Sequence, residues 1–181
     1  MIEIKIFGRA GQGAKTMAQF LAELALVSGK YGQAFPSYGP EREGGEMNAF
    51  VRIDEKPIFI YSQIERPDLV VVIDKTLISQ EVFKNFKKGC VLLVNTGSKI
   101  KIPSIAQPIK IYKIDASKIA QEILGRDIPN TVLLGSLVKI LKIKLEDLLK
   151  VVKEKFVKKL GLEMAEKNLK AIKKGYEKIK I

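Results

Sequence analysis

Short apolar runs alternate with amphipathic segments along most of the chain. Segments in which apolar residues recur every three or four positions predict α-helices, and short runs rich in Val, Ile and Leu predict β-strands. The predicted strands cover residues 2–7, 48–54, 58–61, 69–74, 91–95 and 109–114. The predicted helices cover residues 14–27, 80–86, 117–124, 131–141, 145–160 and 163–178. This alternation of strands and helices is typical of an α/β fold.

The middle strands are apolar at nearly every position, as in strands that are covered on both faces. We therefore predict a largely parallel sheet flanked by helices. Residues 48–61 differ, because two short strands flank Asp-Glu-Lys-Pro at 54–57, and this pattern predicts a β-hairpin at the sheet edge. With no internal repeat or linker, residues 1–181 are expected to form one domain, whose C-terminal part from about residue 131 is helical and rich in lysine.

A glycine-rich turn, Gly-Arg-Ala-Gly-Gln-Gly at residues 8–13, lies between the first predicted strand and the first predicted helix. Backbone N–H groups at a helix N-terminus converge on anions, and glycines allow a phosphate or another backbone to come close. The turn therefore predicts a binding site. A turn that only packs the helix on the sheet is the alternative.

Two known phosphate-binding patterns match this turn imperfectly. The dinucleotide fingerprint requires a third glycine where Thr16 stands. The P-loop requires a lysine directly after its second glycine, but here Ala14 separates Gly13 from Lys15. One extra residue rotates a helical side chain by about 100°, which directs Lys15 away from a phosphate. These residues alone leave the ligand of the turn open.

Composition restricts the chemistry that this chain can perform. It contains no histidine, which is the commonest general base and a frequent zinc ligand. Cys90 is its only cysteine, so the chain alone forms neither a disulfide nor a four-cysteine iron–sulfur cluster. The apolar residues after Cys90 favour a buried thiol over a nucleophile. Reactive groups for redox or acyl chemistry are therefore expected on other molecules.

No run reaches the roughly 18 apolar residues of a membrane span. Residues 1–30 lack a basic segment followed by a long apolar stretch, the pattern of a signal peptide. We therefore expect a cytoplasmic protein that contacts no membrane.

The formal net charge is +12, and lysines are concentrated in the C-terminal part. Residues 145–156 place apolar side chains at helical spacing with lysines between them, as on a solvated helix face. Glutamates interrupt the basic surface and no aromatic side chains are interleaved for base stacking, so nucleic acid is not the expected partner. A basic surface can instead attract an acidic partner, such as a ferredoxin or a phosphorylated cofactor.

A long irregular segment is predicted at residues 34–46, where two prolines and three glycines surround an arginine between glutamates. Long irregular segments are more often functional than neutral. In this interpretation Arg42 holds an anion or Tyr38 lies at an interface. A turn-rich connection without a function is the alternative.

Four motifs occur in order along the chain: Gly-Arg-Ala-Gly-Gln-Gly at 8–13, Ala-Phe-Pro-Ser-Tyr-Gly-Pro-Glu-Arg-Glu-Gly-Gly at 34–45, Val-Arg-Ile-Asp at 51–54 and Ser-Gln-Ile-Glu-Arg-Pro-Asp at 62–68. Together they resemble the gamma subunit, or gamma domain, of the 2-oxoacid:ferredoxin oxidoreductases, the group that includes the pyruvate enzyme. Pro-Asn-Thr-Val-Leu-Leu-Gly at 129–135 is similar to a further segment of that family, and the lysine-rich end resembles its closing helices. The resemblance covers nearly the whole chain.

The resemblance implies a three-layer α/β/α sandwich with a mainly parallel, Rossmann-like sheet and a β-hairpin. It implies a subunit of an enzyme that oxidatively decarboxylates pyruvate or a related 2-oxoacid to an acyl-CoA and passes the electrons to ferredoxin. Thiamine diphosphate, Mg²⁺ and 4Fe-4S clusters are then expected on partner subunits of the alpha, beta and delta types. This chain is expected to supply no catalytic residue, to hold no metal or cofactor alone, and to contact CoA.

The site residues carried over from the resemblance lie in the glycine turn and in the segment after the first helix. Ala10 replaces a glycine that is frequent in the family, and Arg42-Glu43 differs in order from the Met-Arg or Arg-Arg of many relatives. A free-standing P-loop-like or Rossmann-like nucleotide-binding protein is the alternative function. The expected cofactor-binding residues are Gly8, Gly11, Gln12, Gly13, Ser37, Tyr38 and Arg42.

Overall fold

The computed structural model describes residues 1–39, 45–79, 82–83, 85–103 and 108–181. Within these ranges the strands are β1 (Ile2–Arg9), β2 (Tyr31–Tyr38), β3 (Glu46–Asp54), β4 (Leu69–Val72), β5 (Val91–Asn95) and β6 (Lys110–Ile114). The α-helices are α1 (Ala14–Val27), α2 (Ala116–Leu124), α3 (Asn130–Ile140), α4 (Leu145–Leu160) and α5 (Leu162–Lys178). A short 3-10 helix covers Lys75–Leu77.

The strands form one sheet in the order β2-β3-β1-β4-β5-β6. Strands β1, β4, β5 and β6 pair in parallel, and β3 pairs antiparallel with both β1 and β2. The predicted α/β fold with a mainly parallel sheet is therefore confirmed. The chain leaves β1 toward β2 and β3 on one side and returns to β4 on the other, so its connections change direction at the carboxyl end of β1, the place where open α/β sheets form a crevice.

The two faces of the sheet are covered differently. Alternate strand residues such as Ile4, Ile6 and Val71 belong to the larger core cluster, which contains buried side chains from all five helices. Their neighbours on the opposite face, among them Val70 and Val72, belong to a smaller cluster built from residues between β4 and β6. Among the described residues, the α-helices thus cover one face, and turns within residues 82–83 and 85–90 pack on the other.

The hairpin predicted within residues 48–61 is wrong. Residues 58–61 form no strand, because the buried side chain of Arg52 donates hydrogen bonds to the carbonyls of Ile60 and Ser62 instead of leaving them for a strand partner. Strand β3 pairs antiparallel with β1 and with β2, and β2 lies in and before the segment predicted to be irregular. Pro36 is compatible with this strand because β2 is at the edge of the sheet, where one side of the backbone needs no partner.

The helix predicted at residues 80–86 lies partly outside the described residues. Its described part forms turns, and Asn85 has a φ of 64°, which is incompatible with a right-handed helix. Val82, Phe83 and Phe86 are buried against the sheet face opposite the helices. Their helix-like spacing therefore reflects turns that pack on the sheet. The other predicted helices are confirmed, with ends that differ by at most one residue.

Helices α3 and α5 pack with their backbones in close contact. A Cβ added at Gly135 would overlap the carbonyl oxygen of Ile172, and one added at Gly175 would overlap that of Val132. Ser136 joins the two helices by donating a hydrogen bond to the Gly175 carbonyl at 3.0 Å. The two glycines thus set the distance between the helices at the centre of the C-terminal part.

We predict that Gly175→Ala destabilises the protein by about 1–3 kcal/mol, because the added methyl group forces α5 away from α3. Without that contact, alanine would stabilise a helix relative to glycine by roughly 0.5–1 kcal/mol. Lys173→Ala changes an exposed position on the same helix and is the control, expected to stay within about 0.5 kcal/mol of the wild type. The free energy of unfolding from urea titration distinguishes these results, and a stabilised Gly175→Ala variant would contradict the packing.

Candidate functional site

The glycine turn connects the carboxyl end of β1 to the start of α1. Gly11 and Gly13 have φ values of 93° and 81°, in the left-handed region that L side chains rarely adopt. No side chain caps α1, and within the described residues no acceptor is found for the backbone amides of Ala14, Lys15 and Thr16. These amides carry the positive end of the helix dipole, so the turn has the backbone arrangement that binds anions.

The side chains of the turn fix its shape. The Arg9 amide donates a hydrogen bond to Gln12 Oε1 at 2.8 Å, and the Gln12 amide donates to the Arg9 carbonyl at 3.1 Å. Gln12 Nε2 and Arg9 Nε both donate to Asp74 Oδ2, at 3.2 Å and 3.1 Å. The turn is therefore tied to the carboxyl end of β4, across the crevice.

Asp74 is the acceptor on which this link depends. Burial by itself raises the pKa of the carboxyl, but hydrogen bonds from the hydroxyl and amide of Thr76, then from Gln12, together with the charge of Arg9, outweigh it and hold the pKa below its usual value. Asp74 therefore stays ionised at neutral pH. Its negative charge offsets the positive charge of Arg9, so the backbone amides of the turn are the groups left to bind an anion.

Asn130 forms a second wall of the turn. Its Nδ2 donates a hydrogen bond to the Gly13 carbonyl at 3.4 Å, and its Oδ1 accepts one from the Thr131 amide at 2.9 Å. A Cβ added at Gly13 would overlap the Asn130 side chain. The first turn of α3 thus lies against the first turn of α1, and both helices direct their N-terminal ends to the same region.

A cavity of about 220 Å³ lies next to the turn at the carboxyl ends of β4, β5 and β6. Three carboxylates, Asp74, Asp115 and Asp127, line it together with Gln12 and Lys75. An excess of negative charge disfavours a phosphate inside the cavity. An anion is therefore better placed on the amides of the turn, while the cavity suits groups that donate hydrogen bonds.

The structure places the predicted residues Gly11, Gln12 and Gly13 in one loop, and Gly8 at the carboxyl end of β1 directly before it. Ser37 and Tyr38 lie at the same end of the sheet but two strands away, because Tyr38 pairs with Met47, which pairs with Gly8. Tyr38 is exposed, and Ser37 Oγ accepts a hydrogen bond from Gln63 Nε2 at 3.0 Å. Arg42 lies outside the described residues.

Two contributors to the site were not among the predicted site residues. Asp74 ends a predicted strand and Asn130 belongs to one of the recognised motifs, so both carried a sequence signal. Their contact with the turn depends on tertiary structure, since 62 residues separate Gln12 from Asp74 and 117 separate Gly13 from Asn130.

Other chemistry-bearing groups lie away from the turn. Burial raises the pKa of the Cys90 thiol to about 12, so the thiol stays protonated at neutral pH. Among the described residues, no three Cys, Asp or Glu side chains are grouped to hold a metal ion. No helix in the described ranges combines the length and apolar character that a bilayer-crossing helix requires.

Comparisons with known proteins match the chain along its whole length. The family model described as pyruvate ferredoxin/flavodoxin oxidoreductase matches residues 3–178. Pyruvate synthase subunit PorC of Thermotoga maritima is 44% identical over 98% of this chain and 94% of its own length. The pyruvate/ketoisovalerate oxidoreductases common subunit gamma of Thermococcus litoralis is 45% identical over 98% of this chain and 97% of its own length.

Solved structures agree with this assignment. The crystal structure of pyruvate oxidoreductase subunit PORC from Thermotoga maritima superimposes with a TM-score of 0.86 at 41% identity, covering 99% of this chain and 97% of that one. The keto/oxoacid ferredoxin oxidoreductase gamma subunit from Geobacter sulfurreducens has a TM-score of 0.77 at 26% identity, covering 98% of this chain and 97% of that one. The resemblance inferred from the ordered motifs is thereby confirmed: the chain belongs to the pyruvate ferredoxin/flavodoxin oxidoreductase family.

Proposed function

We propose that this chain is the gamma subunit of a cytoplasmic, multi-subunit 2-oxoacid:ferredoxin oxidoreductase. The enzyme oxidatively decarboxylates pyruvate or a related 2-oxoacid to an acyl-CoA and reduces ferredoxin. The observation that carries the proposal is full-length similarity, at 44% identity, to a protein named as a pyruvate synthase subunit. Relatives named as a subunit common to pyruvate and ketoisovalerate oxidoreductases support a 2-oxoacid substrate without selecting one.

In this proposal the chain supports the reaction and its partners perform the chemistry. Thiamine diphosphate, Mg²⁺ and the 4Fe-4S clusters belong to sister subunits of the alpha, beta and delta types. The one thiol of this chain, Cys90, is buried with a pKa of about 12, which suits packing and not nucleophilic attack. The chain's contribution is then the surfaces and the oriented backbone groups that it presents to the sister subunits and to CoA.

The glycine turn is the proposed contact with CoA. CoA carries phosphates, and the backbone amides at the start of α1 lack an acceptor among the described residues, so a phosphate there gains hydrogen bonds without displacing an existing one. Gly11 and Gly13 keep side chains away from the bound group. Ser37 and Tyr38 lie at the same end of the sheet as the turn, and the Gly45 carbonyl accepts a hydrogen bond from the Ala10 amide at 3.0 Å. The resemblance adds Arg42, outside the described residues, as a further proposed contact.

The proposed function predicts a stable complex in the native cell. Gentle affinity purification of the tagged chain should recover thiamine-dependent and cluster-bearing chains, detected by mass spectrometry of the intact complex and by iron–sulfur absorbance. A chain that is recovered alone and colourless would contradict the proposal. Magnesium-dependent ATP binding or saturable NAD binding by that lone chain would then support a free-standing nucleotide-binding protein.

The proposed CoA contact predicts that Gly13→Ala raises the KM for CoA of the assembled enzyme about tenfold or more, since the methyl group overlaps Asn130 and displaces the turn. Gly29→Ala is the matched control, because Gly29 also has a positive φ of 72° but has open space around it at the other end of α1. Both variants lose roughly 1 kcal/mol of stability to backbone strain. Equal KM values for CoA in the two variants, with both complexes assembled, would refute the contact.

A further inference from the structure

Two neighbouring segments of this basic protein carry no charged residue. They are strand β2, Tyr31–Tyr38, and residues 57–64, Pro-Ile-Phe-Ile-Tyr-Ser-Gln-Ile. Depletion of charge together with an excess of aromatic side chains is the composition of the buried centre of a protein interface.

The apolar side chains of these segments are exposed. Phe59 and Tyr61 are 79% and 80% accessible to solvent, and Ile60 and Tyr31 are each 45% accessible. We call these four residues the aromatic ledge. At roughly 200 Å² per large side chain they present on the order of 500 Å² of mostly apolar surface. An area of this size equals that of the largest apolar patch on a typical monomeric protein, and such patches are often functional.

The backbone of the ledge is held in place by a buried arginine. Arg52 is 1% accessible, and it donates hydrogen bonds to the carbonyls of Ile60 at 3.1 Å and Ser62 at 2.8 Å. Its charge is balanced by Glu3, whose Oε1 lies 3.0 Å from Arg52 Nε. Burying a charge is costly unless it is paired and hydrogen-bonded, so Arg52 depends on the carbonyls of Ile60 and Ser62 as hydrogen-bond acceptors. Hydrogen bonds therefore hold the backbone next to the exposed aromatic residues in a defined conformation.

Further contacts attach this segment to the edge strand. Gln63 Nε2 donates a hydrogen bond to Ser37 Oγ at 3.0 Å, and Ile64 is buried. Arg52 Nη1 donates both to the Ile60 carbonyl and, at 3.2 Å, to Gln33 Oε1. Because Gln33 belongs to β2, residue 60 lies over that strand. Tyr31 lies two residues before Gln33 and so shares its sheet face. A surface ordered in this way loses little conformational entropy on binding.

We propose that the aromatic ledge is the docking surface for a sister subunit of the same oxidoreductase, which meets it with an apolar, uncharged face. The inference rests on the proposed function and adds the place of contact. The exposed area is more than half of the roughly 800 Å² that each partner contributes to a stable interface. The four side chains of the ledge carry no charge, so they match the apolar centre of a permanent assembly better than they match the phosphates of nucleic acid.

The test uses the tagged full chain co-expressed with its sister subunits. Phe59→Glu and Tyr61→Glu each place a carboxylate at the centre of the proposed contact, where burial without a partner charge is unfavourable. Each is expected to lower the recovery of sister subunits at least tenfold. Leu162→Glu is the matched control, because Leu162 is also an exposed apolar residue but begins α5. Its recovery of sister subunits is expected to equal that of the wild type.

A second measurement does not depend on the folding of any variant. Hydroxyl-radical oxidation of Phe59 and Tyr61 in the wild-type chain should fall several-fold between the chain alone and the assembled enzyme. Equal oxidation in both states, or full recovery of sister subunits by Phe59→Glu and Tyr61→Glu, overturns the ledge while the proposed function stands. A homodimer of the chain alone that these substitutions abolish would assign the surface to a second copy. Absence of sister subunits from the wild-type preparation overturns both proposals.

Discussion

Strand β1 holds the two halves of the sheet together, since it pairs with β3 on one side and with β4 on the other. The glycine turn and the aromatic ledge, the two surfaces proposed to bind ligand and partner, both depend on contacts at its ends. Near its amino end, Glu3 balances the buried charge of Arg52, which in turn fixes the backbone of the aromatic ledge. At its carboxyl end, the glycine turn leads into α1 and is tied to Asp74 after β4.

The charged groups around Glu3 also connect β1 to the residues next to β4 and β5. Lys87 Nζ lies 3.3 Å from Glu3 Oε2 and 3.0 Å from Asp68 Oδ1, and Asp68 Oδ2 accepts a hydrogen bond from the Glu3 amide at 2.8 Å. Burial by itself lowers the pKa of Lys87, but hydrogen bonds to Asp68 and Glu3 outweigh it and raise the pKa, so the ammonium group stays charged. Ion pairs and hydrogen bonds thus join β1 and β3 to the residues that precede β4 and β5.

Much of the fold could be predicted from the sequence, because helices and buried strands are encoded by local periodicity. Strand β2 was missed because Pro36 and the nearby glycines indicate irregular structure unless the strand is known to lie at an edge. Residues 58–61 were predicted as a strand from their apolar composition, yet that composition belongs to an exposed segment bound by Arg52. An apolar pattern indicates that a segment tends to be buried. It does not show whether the segment packs inside its own chain or against another molecule.

The candidate site was predictable to the extent that it is local. The glycines of the turn stand within six residues of one another and show a positive φ at Gly11 and Gly13, as an unusual turn requires. The contacts that shape the turn come from Asp74 and Asn130. Asp74 is brought close by the pairing of β1 with β4, and Asn130 by the packing of α1 against α3. Such contacts follow from the assembled sheet, which no short motif specifies.

The supporting role of this chain is tested most directly by reconstituting the oxidoreductase from purified subunits with and without it. Turnover is measured as CoA-dependent reduction of ferredoxin by a 2-oxoacid. We predict that the remaining subunits keep their thiamine diphosphate and iron–sulfur absorbance, that turnover falls at least tenfold without the chain, and that adding the chain restores it. Turnover that is the same with and without the chain would contradict this role.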